Sequence, residues 1–438
     1  MKKYNLEATD ENILKAIETD QLHRTQDVID FLTMLDTIDY SAFVALDAAW
    51  GEGKTFFVRQ VEMTMRHHNK KMFGKEIEQQ EITAFQANCS LGNIELQHTY
   101  YPIYFDSWLY DNHVNALMAL LMVAIKQCGK TVNTIISNTQ KVEKVAAIFD
   151  SIQFWKCNNW SNLLEKFKTT SILEETLLLE DVRQKVKEIF EQILVEDAEK
   201  LVFFIDELDR CKPTFAIEML ESIKHYFDDD RFIFVMSVNK SQLTHTIKKY
   251  YGNDFDSNLY LNKFFDINIH LPKADTVAYF NKLDISCDSN RWIKKFANEL
   301  QKYYSLSLRD TTNYFQKICL VYDKFYEDIS SCTLMPFVIP ILCIFDIIDA
   351  TITNRILSGN GFDIIEKLVE KNESMRRYVM RLSNSIDDTE ENYKKGMEEL
   401  REFYKVAFSD DSKYGCYEGC IDIPANFKSK CLHICNSV

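Results

Sequence analysis

Residues 48–55 read AAWGEGKT and stand between an apolar run, SAFVALD, and a stretch of helical spacing, FFVRQVEMTM. This segment constrains the fold more than any other. The pattern G-x-x-x-x-G-K-[ST] needs a strand before it and a helix after it: the loop turns backbone N–H groups onto phosphate oxygens, and the helix N-terminus adds its positive dipole end. Phe43, Val44, Ala45 and Leu46 read as the strand, and Phe56, Val58 and Val61 begin the helical pattern. The candidate nucleotide-holding residues are Ala49, Trp50, Gly51, Glu52, Gly53, Lys54, Thr55 and Phe56. Lys54 is expected to reach the β- and γ-phosphates, and the Thr55 hydroxyl to ligate Mg²⁺. The first position departs from the pattern, since Ala48 stands where Gly is asked for and the turn must be made with a Cβ present.

A second segment strengthens the first. Residues 201–210 read LVFFIDELDR, an apolar run ending in four charges within five residues. A buried parallel strand looks like this when its C-terminal end carries a site. Asp206 fits the metal-holding carboxylate, usually acting through water, and Glu207 the residue that polarises an attacking water.

With these two half-sites in view, the chain resembles the KAP group of P-loop NTPases, within the signal-transducing ATPases with AAA-like cores. AAWGEGKT has the Trp-Gly-x-Gly-Lys-Thr form of that group's phosphate loop, and IDELDRCKPTFAIEMLESIKHYF followed by RFIFVMSVNKSQL is similar to its acidic strand, helix and next strand. YYPIYFDSWLYDNHVNALMALL resembles its strand ending in Asn-Ala-Trp, with Asp106, Ser107 and Trp108 in those places. LSLRDTTNYF resembles the element that carries a second sensing arginine, Arg309 here, with Leu308 where Pro is usual. The resemblance covers roughly residues 15 to 350.

Its implications are specific. The fold expected is α/β, a P-loop NTPase core with a parallel sheet and a helical insertion, followed by a helical lid and a helical C-terminal region. The boundaries are 1–273 for the core, with the insertion at about 129–190, 274–330 for the lid carrying Arg309, and 331–438 for the rest. ATP comes from the resemblance, since no guanine-reading Asn-Lys-x-Asp stands downstream of the core. Asn239, at the end of FIFVMSV, is either a polar sensor of the γ-phosphate or attacking water, or a residue that ends a strand and starts a turn. Arg210 and Arg309 are candidates for stabilising charge on phosphoryl oxygens, although Arg210 is equally placed to pair with Asp206, with Asp209 or with a neighbouring subunit. In DQLHRTQDVIDFLTML, Leu22 and Arg24 stand where the group approaches the base, and a plain amphipathic helix explains them as well.

Composition narrows the rest. At 438 residues the chain is long enough for two or three domains, and 6 Pro with 11 Gly leave little room for linkers, so long helices should dominate. A net charge of −15 argues against a whole-surface attraction to nucleic acid, which is not favoured as a partner and is left open. The locally basic MRHHNKKMFGKE at 65–76 reads as the cationic end of the phosphate-loop helix. The acidic triplet Asp228, Asp229 and Asp230 reads as a solvated turn. No leader is read in MKKYNLEATDENILK. The most apolar run, LMPFVIPILCIF, is too short to cross a bilayer, for which about 20 residues are needed. A cytoplasmic protein with reduced thiols is therefore expected, with a protein partner or self-association through the charged helical C-terminal region.

Cys416, Cys420, Cys431 and Cys435 form two Cys-x-x-x-Cys pairs with three readings: free thiols, the one favoured, two disulfides, or a structural Zn²⁺ site. For function, an ATPase that drives a conformational or assembly switch is expected first, in defence against phage by family resemblance. A nucleotide-binding scaffold without turnover comes second, motivated by Ala48 and Asp106. A small-molecule or nucleoside kinase comes third, since no acceptor-substrate motif is present.

Overall fold

A computed structural model describes residues 7–69, 79–112, 115–127, 190–191, 194, 197–227, 229–282, 291–324, 334–382, 389–408 and 427–435. The helical insertion expected at about 129–190 lies almost wholly outside these residues, as do Asp228, Cys416 and Cys420. The described residues divide into two units, one spanning Glu7–Lys273 and one from Ala274 onward.

The first unit is built on five parallel strands: β1 (Ala42–Asp47), β2 (Tyr100–Asp106), β3 (Lys200–Asp206), β4 (Phe232–Val238) and β5 (Ile267–His270). They lie in the order β2-β3-β4-β1-β5. The three central strands are Val-, Ile- and Phe-rich without strict alternation, as strands buried on both faces must be. Helices α1 (Asp10–Thr19), α2 (Thr25–Asp36) and α3 (Lys54–His68) precede and follow β1, with α4 (Gln79–Ala87), α5 (Cys89–Gly92) and α6 (Ala116–Gln127) flanking β2. Next come α7 (Pro213–Tyr226), α8 (Lys240–Tyr251) and α9 (Ser257–Asn262). Pro213 opens α7 at a position where its missing N–H would have had no partner.

Alternation within the strands sorts side chains onto two faces. Phe203, Ile205, Phe234, Met236, Phe43 and Ala45 join α6 and α7 in one apolar cluster. Three rings stack across neighbouring strands, Phe203 on Phe234 at 4.8 Å and Phe43 on Phe234 at 5.2 Å. Phe203→Ala opens a cavity under that stack and is expected to lower unfolding free energy by about 3–5 kcal/mol, read by denaturant titration. The intervening residues point to the opposite face. On that face Leu46, Ser237, Asp206 and Asp106 form one row across β1, β4, β3 and β2. The register thereby lines up the carboxyl ends of the strands, where ligands bind in open parallel sheets.

The second unit is helical: α10 (Thr276–Lys282), α11 (Arg291–Tyr303), α12 (Leu308–Lys324), α13 (Met335–Ile348), α14 (Ala350–Leu357), α15 (Phe362–Lys371), α16 (Glu373–Leu382), α17 (Glu390–Phe408) and α18 (Phe427–Cys435). Its apolar centre is α13, buried from Met335 to Phe345 despite Pro340 inside the helix. Tyr314 of α12 donates to the Pro340 carbonyl at 3.0 Å, and Lys317 pairs with Asp346. No helix among the described residues is long and apolar enough to cross a membrane. Arg309 stands in α12, in this second unit. Cys431 is buried in α18. Among the described residues no group of three or more His, Cys, Asp or Glu side chains could hold a metal ion.

Candidate functional site

The loop from Ala48 to Gly53 leaves β1 and runs directly into α3, whose first residues are Lys54 and Thr55. Gly51 and Gly53 take positive φ, 86° and 81°, where a Cβ would be strained. Ala48 is not among the positive-φ residues, so the position that departs from the pattern does not need glycine. Its N–H donates to the Val238 carbonyl at 3.2 Å, which ties the loop's start to β4. Lys54 is buried and donates to the carbonyls of Ala48 at 2.7 Å and Ala49 at 3.3 Å. Burial lowers the affinity of this ammonium for its proton, while Asp209, Asp206 and Glu207 act in the opposite sense. Trp50 is exposed and Phe56 buried.

The carboxylates at the end of β3 come up to this loop. Asp206 is fully buried, and its oxygens accept from the Tyr104 hydroxyl at 3.1 Å and from the Glu207 N–H at 2.9 Å. Burial, then Asp206 and Asp106, hold the Tyr104 hydroxyl protonated, so it remains a donor. The Thr55 hydroxyl lies 3.5 Å from Glu207 Oε1, although the two residues are 152 positions apart. Glu207 takes a left-handed conformation, φ 60°. Its carboxyl is pushed up to about 7, first by burial and then by Asp206, with Arg210 pulling it down.

Arg210 pairs with Glu207, and its guanidinium carbon lies 6.0 Å from the Trp50 ring centre and 5.8 Å from that of Trp108. The Trp50 indole N–H donates to Asp209 at 2.6 Å, adding a second tie between the loop and the acidic segment. Asp106 sits opposite Asp206 in register. Burial, then the neighbouring Asp206 charge, raise its carboxyl, while the N–H groups of Trp108 and Leu109 stabilise its ionised form.

Asn239 caps α8, its side-chain oxygen accepting from the Gln242 N–H at 3.2 Å. That contact is the strand-ending turn of the two readings open for this residue. Ser237, two residues earlier and in register with Asp206, is fully buried with a hydroxyl that has no partner among the described residues.

One participant escaped the sequence reading. Tyr104 shares Asp206's face by strand parity, a signal legible only once β2 and β3 are paired in register. Arg24, for which the sequence left a place near the base or a plain amphipathic helix, is buried and donates to the carbonyls of Gly53 at 3.3 Å, Glu52 at 3.0 Å and Pro272 at 3.0 Å. Its partners are therefore loop carbonyls, and burial lowers its guanidinium to about 10.

A magnesium ion takes one or two protein oxygens and draws its remaining ligands from phosphates and water. The Asp206 carboxylate and Thr55 hydroxyl fit that donor set, with the unpartnered Ser237 hydroxyl on the same sheet face.

The sequence pattern of the KAP family P-loop domain matches residues 28–386. No curated protein matches the chain. Among solved structures, the ORC2 protein of Aeropyrum pernix, in ADPNP–ADP complexes, aligns over 97% of this chain and 93% of that chain. The identity is 12% and the TM-score 0.35, a likeness too slight to carry an argument. With more than three quarters of its length inside the family pattern, the chain belongs to the KAP family of P-loop NTPases.

Proposed function

We propose that the chain is an ATP hydrolase that holds Mg²⁺-ATP in the Ala49–Phe56 loop and uses turnover to switch between two conformations or assembly states. The observation that carries this reading is the approach of Thr55 to Glu207 across 152 residues. It brings the phosphate-binding bend and the carboxylates at the end of β3 into one place.

In this reading Lys54 exchanges its Ala48 and Ala49 carbonyls for phosphate oxygens, and the N–H groups at the start of α3 face the same oxygens. Thr55 and Asp206 would hold Mg²⁺, which supplies positive charge against the β- and γ-phosphates. Glu207 orients the attacking water and takes its proton once freed from Arg210. Arg210 then faces the site with its charge available to phosphoryl oxygens. Asn239 and Arg309 remain candidates for sensing the γ-phosphate. For biological process, the family resemblance supports defence against phage or other mobile elements.

The test is phosphate release by the purified chain with Mg²⁺-ATP, together with solution mass with and without a slowly hydrolysed analogue. Release and an analogue-dependent mass support the ATPase switch; the absence of release refutes it.

The Arg210–Glu207 pair also favours a second reading, a nucleotide-holding scaffold, because a base held by an arginine is not free to activate water. Tight binding without release would select that reading.

A further inference from the structure

Arg24 carries a charge in the interior of the first unit, 1% exposed, and that charge is met by carbonyl oxygens. Asp27 and Glu52 act on it through space. Burying a guanidinium is costly unless its geometry is fully used, so a side chain retained there is expected to do something an apolar one would not.

The connection from α1 to α2 aims it. Asp20 and His23 both take positive φ, 43° and 51°, and the Asp20 carboxylate accepts from the N–H groups of Arg24 at 3.0 Å and Thr25 at 3.2 Å. The guanidinium carbon lies 5.9 Å from the Phe57 ring centre. Both ends of the side chain are thus fixed.

What it holds has a consequence for the loop. A trans peptide is planar, with its C=O and N–H pointing in opposite directions. No peptide bond among the described residues is cis. The Glu52 carbonyl shares a plane with the Gly53 N–H, and the Gly53 carbonyl with the Lys54 N–H. Two carbonyls drawn toward Arg24 therefore turn these two N–H groups away from it.

We propose that Arg24 is a positioning residue for bound phosphate: by holding the Glu52 and Gly53 carbonyls, it aims the N–H groups of Gly53 and Lys54 at the phosphate oxygens. Through the Pro272 carbonyl the same guanidinium also fixes the segment that closes the first unit, ahead of Ala274. The proposal rests on the nucleotide-binding reading above and adds the residue that sets the loop's geometry.

Lysine keeps the charge and lacks the planar fork that reaches three carbonyls. Arg24→Lys is expected to melt below the wild type, since buried charge-assisted hydrogen bonds are lost. It is also expected to bind Mg²⁺-ATP at least about 10-fold more weakly, since the loop N–H groups are no longer preorganised, and to raise KM with kcat little changed. A wild type that binds Mg²⁺-ATP beside an Arg24→Lys protein that binds equally well overturns the role of Arg24 and leaves the nucleotide reading standing. A wild type that binds none refutes both.

If Arg24→Lys fails to fold, hydrogen exchange on the unmutated chain decides. Mg²⁺-ATP is then expected to slow exchange at Gly53 and Lys54 and in residues 268–273 together. Protection of the loop without residues 268–273 overturns the proposal.

Discussion

Glu207→Gln lowers phosphate release from Mg²⁺-ATP by about 10²- to 10⁴-fold, the range lost with a general base, and leaves the nucleotide bound. Glutamine keeps the shape and an oxygen near Thr55 but cannot take a proton. The effect therefore falls on kcat, and binding measured by titration stays near wild type. The same substitution has a signature in the absence of nucleotide and metal. The carboxyl titrates near 7 in the folded chain against an ordinary value of 4.5, so the folded state binds the extra proton. Stability from this group is then fully present below 4.5 and lost as pH rises through about 7. Glu207→Gln lacks that loss, and its melting temperature relative to wild type should climb between pH 4.5 and 7 and level off above. A flat difference across that range would show that burial and Asp206 do not act on Glu207 as described.

Lys54→Ala weakens nucleotide binding by about 10- to 150-fold, the worth of hydrogen bonds to a charged group, and phosphate release falls with it. Lys54 is 7% exposed and sits among Asp206, Glu207 and Asp209. Its removal takes away an ammonium that offsets those carboxylates near the incoming phosphates. Equilibrium binding of labelled ATP checks the effect, with a thermal melt to show that the fold persists. If the defence reading is right, cells carrying Lys54→Ala lose whatever protection from phage the unmutated chain confers in a plaque assay. Wild-type binding by Lys54→Ala would remove the phosphate loop from the account.

The central strands and the phosphate-loop bend were legible because each depends on a local pattern. SAFVALD, LVFFID and FIFVMSV are apolar runs of strand length, and they form β1, β3 and β4. Gly51 and Gly53 announce a bend that needs positive φ. The contacts that close the site are not local. Arg24 reaches Glu52, Gly53 and Pro272 at separations of 28, 29 and 248 residues. Trp50 reaches Asp209 at 159. Such contacts leave no periodic trace, and they follow only from the strand order that sets β4 between β1 and β3. Asn239 shows a different limit, since one short amide at a strand end serves equally as a helix cap and as a phosphate sensor, and its cap bond to Gln242 appears only in three dimensions.

The claim beneath all of this is that Thr55 and Asp206, on separate segments, act on one magnesium–triphosphate group. A double-mutant cycle tests it most directly, with Mg²⁺-ATP titrated into wild type, Thr55→Ala, Asp206→Asn and the double variant. If both side chains hold the same ion, the double variant loses little more than the worse single, with a coupling energy of about 0.5–3 kcal/mol. Strictly additive losses would mean that the two residues act at separate places, and would contradict a shared site.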